Sequence, residues 1–404
     1  MEKKSLKNFD LISIINKEEY NSIYLKKSKL KKLLYGFFVF FLIHLLFFIY
    51  LIIFDKRLEQ NTLMNIQNNK YLIRIKNELS KKTSIITNLM TIIDNNIIKN
   101  KYNEVINNSQ FDEIKMMKLN DYQSYFCKNP HAFNNTLIEE NIKTVNIHFN
   151  DIIFQMFVYK NDDYVSKTIS ESGKWEQKET QSLLSSLIYY TKKKNIIEND
   201  VYLLDIGANI GWYSLILGKK GFNVISFEPS KLNYYILLKN YCLNKDISMT
   251  IINRGLDIEE KNSTIYHPLD NLGDAIIFHN DSKINKSNYF KEEIKITRLS
   301  NYIEYLKDKN LALIKLDIEG YEEKAIKGGI DLIIKYHIPF ILMEFQPNLL
   351  KKQGTNPRTF LEIFENNGYK MRRKGFFSKK YDSIDNLINQ ILINIYIVYT
   401  KFLD

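Results

Sequence analysis

Residues 201–218, VYLLDIGANIGWYSLILG, run from an apolar strand through a glycine-bearing turn into a helical pattern. Gly207 and Gly211 permit a tight turn and a close backbone approach, and the helix that follows presents unpaired N–H groups to a polar ligand. Asp205 stands at the carboxyl end of the strand, placed to receive an ammonium or to orient water. The next strand, FNVISFEP (222–229), ends in Glu228, and Pro229 stops it there. A carboxylate at the end of a second strand is suited to accept both hydroxyls of a ribose. The turn reads Gly-Ala-Asn-Ile-Gly, with Asn209 where a dinucleotide fingerprint has its middle glycine and no third glycine. A ligand without a pyrophosphate fits better, so Asp205 and Glu228 favour S-adenosylmethionine over NAD.

Working outward, LALIKLDIEGYEEKAIKGG (311–329) repeats the strand-to-helix order, with a buried strand over 311–316 and a helix over 321–330. Asp317 and Glu319 fall at the junction. In an open parallel sheet the ligand crevice lies beyond the carboxyl ends of the strands, so Asp205, Glu228 and Asp317 are expected at one rim. Methyl transfer to an oxygen needs the acceptor held in line and relieved of its proton, and Asp317 is the candidate base. The plainer alternative makes Asp317 and Glu319 a helix cap and dipole partner. Glu344, at the end of the strand in IPFILMEFQP (338–347), is expected on the acceptor side with Glu319. His267 and His279, in the long excursion between the third and fourth strands, are alternative bases. Zinc-site spacings, a phosphate loop and a serine elbow are absent, and no metal is expected.

The 404 residues are 45% apolar and 25% charged, which excludes disordered and collagen-like classes and leaves room for two or three segments. The net charge of +11 is concentrated at one end, because residues 1–57 hold eleven Lys/Arg against five Asp/Glu. That argues against nucleic acid as a partner of the remainder. Residues 33–54, LLYGFFVFFLIHLLFFIYLIIF, carry no formal charge. As a helix they span roughly 33 Å, the thickness of a bilayer's hydrocarbon core. Lysines 26, 27, 29, 31 and 32 precede this span closely, and only Lys56 and Arg57 follow it closely. The basic tail, 1–32, is therefore expected in the cytosol and the C-terminal bulk across the membrane. Five Asn-x-Ser/Thr triplets, at Asn107, Asn134, Asn262, Asn280 and Asn285, all follow the span, although an Asn-rich chain produces such triplets by chance. Residues 55–150 contain no glycine and place Ile86, Leu89, Ile93 and Ile97 at helical spacing, so a largely helical stem is expected, a candidate to pair two copies of the chain. Cys127 and Cys242, the only cysteines, allow at most one bridge and do not by themselves settle the redox compartment.

Taken together, these residues resemble the FkbM family of class I, S-adenosylmethionine-dependent methyltransferases over about 151–400. The family's Asp-x-Gly-Ala-Asn-x-Gly stands at Asp205 to Gly211, its Phe-Glu-Pro at Phe227 to Pro229, and its Lys-x-Asp-x-Glu-Gly at Lys315 to Gly320, followed by Glu322 or Glu323 and by Gly328. The resemblance implies that Asp205, Gly207, Asn209 and Glu228 contact the cofactor, that Arg254 and Gly255 lie near its adenine, and that Asp317 faces the methyl-transfer centre. Gly255 stands where alanine is commoner in the family. The resemblance also implies a hydroxyl-bearing acceptor of the sugar or natural-product kind.

The expected architecture is α/β. It has a doubly wound, mostly parallel, seven-stranded Rossmann-like sheet over 151–404, closed by an antiparallel edge from 369–372 and 391–400. The expected protein is a single-pass, type II membrane O-methyltransferase acting on a glycan hydroxyl, with its catalytic domain in the Golgi or endoplasmic reticulum lumen. Two alternatives compete with it: a catalytically inactive methyltransferase-like module that binds a partner, and an NAD-linked oxidoreductase.

Overall fold

The structure, a computed structural model, describes residues 119–128, 136–160, 163–268, 271, 273, 275–277 and 289–404. The basic tail, the apolar stretch 33–54, the stem up to residue 118 and His279 lie outside the described residues. Among the described residues no helix is long and apolar enough to cross a membrane.

The chain first forms a hairpin, β1 (Ile142–Phe149) and β2 (Ile152–Tyr159), paired antiparallel from Ile142↔Tyr159 to Phe149↔Ile152. The strand expected from residue 151 therefore has its partner inside the expected stem, and the boundary at 150 falls on the hairpin turn, where Asn150 takes a positive φ. Val145, Ile147 and Phe149 alternate at the strand period, a signal that the surrounding Asn-rich sequence obscures.

The helix Leu119–Lys128 is likewise part of the catalytic unit. Its buried Gln123 donates to Met249 O and accepts from Ile251 N, both at 2.8 Å. Phe126 meets Tyr235 edge to face, and Cys127 is bonded to Cys242.

The central sheet begins with β3 (Val201–Ile206), β4 (Asn223–Phe227) and β5 (Met249–Ile252). An excursion follows, comprising β6 (Gly255–Leu256), β7 (Lys261–Pro268) and β8 (Tyr289–Thr297), which form a small separate sheet in the order β6-β8-β7. The chain returns as β9 (Asn310–Leu316), β10 (Phe340–Phe345), β11 (Tyr369–Arg372) and β12 (Ile393–Tyr399). The seven strands lie in the order β11-β12-β10-β9-β3-β4-β5. Six strands point the same way, and β12 alone is reversed, antiparallel to its neighbours β10 and β11, which gives the expected closing edge.

Parallel strands buried on both faces read as continuous apolar runs, which is why VYLLDI and LALIKL lack alternation. Leu203 and Leu313 pack on one face with the helices Gln177–Lys194, Trp212–Lys219 and Lys231–Leu243. Leu204, Ile206, Ile314 and Leu316 pack on the other with Glu322–Gly328, Ile330–Tyr336 and Pro357–Asn366. From β3 the chain winds outward to β4 and β5, then crosses back to β9 and β10. The switch point thus lies between β3 and β9, and the crevice opens at their carboxyl ends.

Candidate active site

Two loops meet at that switch point. The amides of Gly207 and Ala208 both donate to Phe227 O at 3.0 Å, and Asp317 N donates to Ile206 O at 3.1 Å. Gly207 has φ +79°, and a Cβ built on it would lie 1.9 Å from Asp317 O, so the loops after β3 and β9 touch only because this residue has no side chain. Asn209 also adopts the left-handed conformation, at φ 50°, a region asparagine enters more readily than most residues.

The Asn209 backbone N donates to Glu228 Oε2 at 2.8 Å, and Ser230 N donates to Glu228 Oε1 at 2.9 Å. Both oxygens are thereby fixed, with lone pairs left over for a ligand. Burial pushes the Glu228 carboxyl up to about 7, against those two backbone bonds, with nearby Glu292 adding to the rise and His267 opposing it. Glu292 is itself buried and takes Lys231 N at 2.6 Å and pairs with His267 Nε2 at 3.0 Å. His267 is fully buried within β7, so its expected alternative role as a loop base is withdrawn.

Asp205 and Lys315 are registered neighbours across β3 and β9. Asp205 is completely buried, accepts from Ser214 Oγ at 2.5 Å, and has Lys315 Nζ 3.9 Å away. It stands behind the cavity wall, not at its surface, and the expected direct contact with a ligand is corrected to a supporting position. The reason is geometric: Asp205 precedes the turn and points under the helix Trp212–Lys219, while the turn itself covers it. Gly211 likewise shapes the turn without lining the cavity, its open α-carbon packing under Leu237.

The remaining expected residues come together. Gly207, Asn209, Glu228, Arg254 and Gly255 line one cavity of about 580 Å³ together with Asp317, Glu319 and Glu344. Arg254 and Gly255 lie at the end of β5 beside the apolar residues Leu256, Ile265, Ile294 and Ile296, a floor suited to a flat heterocycle. At the other end, one carboxylate oxygen each of Asp317, Glu319 and Glu344 lies within 4.8 Å of the others. Burial, followed by the charge of Asp317, raises Glu344 to about 7. The helix Glu322–Gly328 has no side-chain cap; Glu322 instead braces the loop before it, accepting from Ile318 N at 3.2 Å and Gly320 N at 3.1 Å. Asp317 and Glu319 both line the cavity.

Sequence reasoning missed three lining residues. Lys315 donates to Gly207 O at 2.9 Å and lies 3.4 Å from Asp317 Oδ2, tying the two loops together. Burial disfavours its charge, but Asp317, Asp205 and Glu176 outweigh this and raise it. A lone lysine inside the apolar run LALIKL was the available signal, since a buried ammonium requires partners. Glu176 and Tyr213 also line the cavity, with the tyrosine hydroxyl donating to the carboxylate, and no local pattern in the sequence marks Glu176.

Residues 205–371 match the methyltransferase FkbM domain family. This stretch is similar to FkbM methyltransferase domains. The match supports an S-adenosylmethionine-dependent methyltransferase domain over that stretch, against the oxidoreductase alternative. No curated protein matches the chain. Among solved structures, a 2.2 Å crystal structure of WbdD is 12% identical over 57% of this chain and 42% of that one, with a TM-score of 0.35. Magnesium protoporphyrin IX methyltransferase from Synechocystis PCC 6803 with bound SAM is 13% identical over 58% of this chain and 83% of its own, with a TM-score of 0.30. The chain thus spans about two fifths of the WbdD chain. At such TM-scores the fold rests on the strand order of the FkbM domain itself.

The cavity fits S-adenosylmethionine. Buried Asn209 Oδ1 has no hydrogen-bond partner and belongs to a cavity-lining residue, Glu228 has acceptor capacity to spare, and the turn lacks the third glycine that a pyrophosphate needs. Gly207, Asn209 and Glu228 would hold the ribose and amino-acid portions, and Arg254 and Gly255 the base. A carboxylate accepts two hydroxyl donors best when ionised, and Glu228 ionises above about 7. Affinity for S-adenosylmethionine is therefore expected to rise by up to about tenfold from pH 6 to pH 8 and to level off above. Calorimetry across that range checks it, and Glu228→Gln should flatten the profile.

Proposed function

We propose that this methyltransferase acts on a sugar hydroxyl of a glycan or glycoconjugate, with Asp317 as the base. The observation that carries this reading is Asp317 at the cavity surface, 30% exposed, with Lys315 Nζ on one side and Glu344 on the other. When bound, S-adenosylmethionine supplies an electrophilic methyl group. Asp317 accepts the hydroxyl proton as the acceptor oxygen becomes nucleophilic, and Lys315 fixes the carboxylate's orientation through its anchorage on Gly207 O. Glu319 and Glu344 offer further acceptor oxygens for neighbouring hydroxyls. Mass spectrometry of cell-surface glycans after gene disruption tests the reading. The expected result is loss of one methyl group from a defined sugar, and an unchanged glycan profile counts against it.

In this proposal residues 33–54 anchor the chain in a bilayer, the basic tail 1–32 faces the cytosol, and the catalytic domain lies in the Golgi or endoplasmic reticulum lumen. The Cys127–Cys242 bond supports that side of the membrane, because disulfides persist in oxidising compartments. Asn262 is exposed, as a glycosylated residue must be. Protease protection of the catalytic domain in intact microsomes is expected, and its digestion from the cytosolic side reverses the assignment. The bond closes a loop of 115 residues, so Cys127→Ser is expected to lower stability by about 2–4 kcal/mol, measured by urea unfolding of the solubilised protein. Pairing of two copies through the stem belongs to the same proposal, and light scattering in detergent tests it.

A further inference from the structure

The cavity wall includes residues that precede the matched domain. Trp175 and Glu176 lie in the link between the helices Tyr164–Ser172 and Gln177–Lys194, 29 or more positions before Asp205 in the chain. Both line the cavity. The Trp175 ring is half-buried and is held edge to face by Tyr164, with ring centroids 5.7 Å apart. Glu176 is held by the Tyr213 hydroxyl, and its backbone sits in the left-handed region at φ 36°. An L-residue other than glycine or asparagine keeps that conformation only where its surroundings impose it.

Glu176 faces the same space as the other acids. The charge of Asp317 raises it, after burial, and Glu176 in turn raises Glu344. Four carboxylates, Glu176, Asp317, Glu319 and Glu344, thus surround this end against one ammonium, Lys315. Even with the cation of a sulfonium counted in, the balance remains negative. Carboxylates accept hydroxyl or ammonium protons well, an aromatic ring packs against the C–H face of a pyranose, and a further anion is repelled.

We propose that Trp175 and Glu176 determine acceptor specificity and that the sugar they select is uncharged or carries an amine, not a carboxylate or phosphate. This rests on the glycan reading and narrows it. Trp175 supplies the stacking platform. Glu176 extends the ring of acceptor oxygens and excludes anionic sugars.

The test uses the detergent-solubilised full chain with labelled S-adenosylmethionine and four acceptor sets: neutral glycosides, glycosides with free amines, uronic-acid glycosides and sugar phosphates. Neutral or amino sugars are expected to be methylated with a kcat/KM at least tenfold above the anionic sets. Trp175→Ala should raise the acceptor KM at least tenfold while the Kd for S-adenosylmethionine and the thermal midpoint stay within error, and Trp175→Phe should recover most of the loss. Glu176→Gln, which keeps a partner for Tyr213, should narrow the discrimination against uronic acids. Equal use of neutral and anionic sugars overturns this inference and leaves the glycan reading intact. An acceptor KM indifferent to both Trp175 variants also overturns it. Methylation of no sugar by a protein that still binds S-adenosylmethionine overturns the glycan reading, and this inference with it.

Discussion

Asp317→Asn is expected to lower turnover by about 100-fold or more while leaving cofactor affinity and thermal midpoint unchanged. Asparagine matches aspartate in shape, and its amide oxygen can still accept from Lys315 Nζ, which lies 3.4 Å from the native carboxylate. The Asp317 backbone N–H keeps its bond to Ile206 O, so the loop stays registered on β3. What disappears is the capacity to take a proton. The separation of effects is sharp because Glu228, which would hold the cofactor's ribose side, lies at the end of a different strand and accepts from Asn209 N and Ser230 N. Single-turnover methyl transfer at saturating cofactor, with calorimetry on the same preparation, checks both halves. Unchanged turnover would move the base role to another acid, with Glu344 the first to examine, since its carboxyl is raised to about 7.

The contrast between Asp317 and Asp205 shows how far the sequence alone carries. The strand-turn-helix order at 201–218 and again at 311–329 places both acids at the carboxyl ends of parallel strands, and the sheet order makes those strands neighbours. Strand periodicity does not say which way a residue at a strand end turns. Asp205 lies under the turn against Ser214, and Asp317 emerges into the cavity. Local pattern also cannot supply partners that arrive from far along the chain. Glu176 reaches the site from an unmatched segment, Lys315 gains its role only through β3 beside it, and Gln123 completes the edge of β5 from 126 residues before Met249. The closing edge at 369–372 was legible because Tyr369 and Met371 alternate with basic residues at the strand period directly after a helix. The hairpin strand β1 was not, because its alternation is embedded in an asparagine-rich stretch that reads as stem. Glu322, further on, reaches back to Ile318 N and Gly320 N, an interaction that depends on the three-dimensional path of the loop and that no local pattern marks.

Gly207→Ala is expected to cost about 3 kcal/mol or more of stability and to abolish measurable cofactor binding. Two penalties coincide at this position. Its φ of +79° is a region that an alanine enters only with strain, and the added methyl would meet Asp317 O at 1.9 Å, a backbone atom that cannot rotate aside. Relief requires the loops after β3 and β9 to part. Parting them breaks the Lys315 bond to Gly207 O and displaces Asn209 N from Glu228, so stability and affinity fall together. Gly255→Ala is the matched control in the same cavity. Its φ is not positive, and its added methyl would meet Ile296 Cγ1 at 3.3 Å, Ile294 Cδ1 at 3.5 Å and Pro229 Cβ at 3.6 Å. Only Ile294 Cδ1 is a flexible side-chain end, but none of the three contacts is shorter than 3.3 Å and none is backbone, so that variant is expected to fold within about 1 kcal/mol of the native protein and to keep its cofactor affinity within a few fold. Thermal unfolding and calorimetry on the pair distinguish contact between loops from a general intolerance of the cavity to added volume. A Gly207→Ala protein of native stability and affinity would mean that the two loops do not approach as described, and the support that joins the cofactor end of the cavity to Asp317 would have to be sought elsewhere.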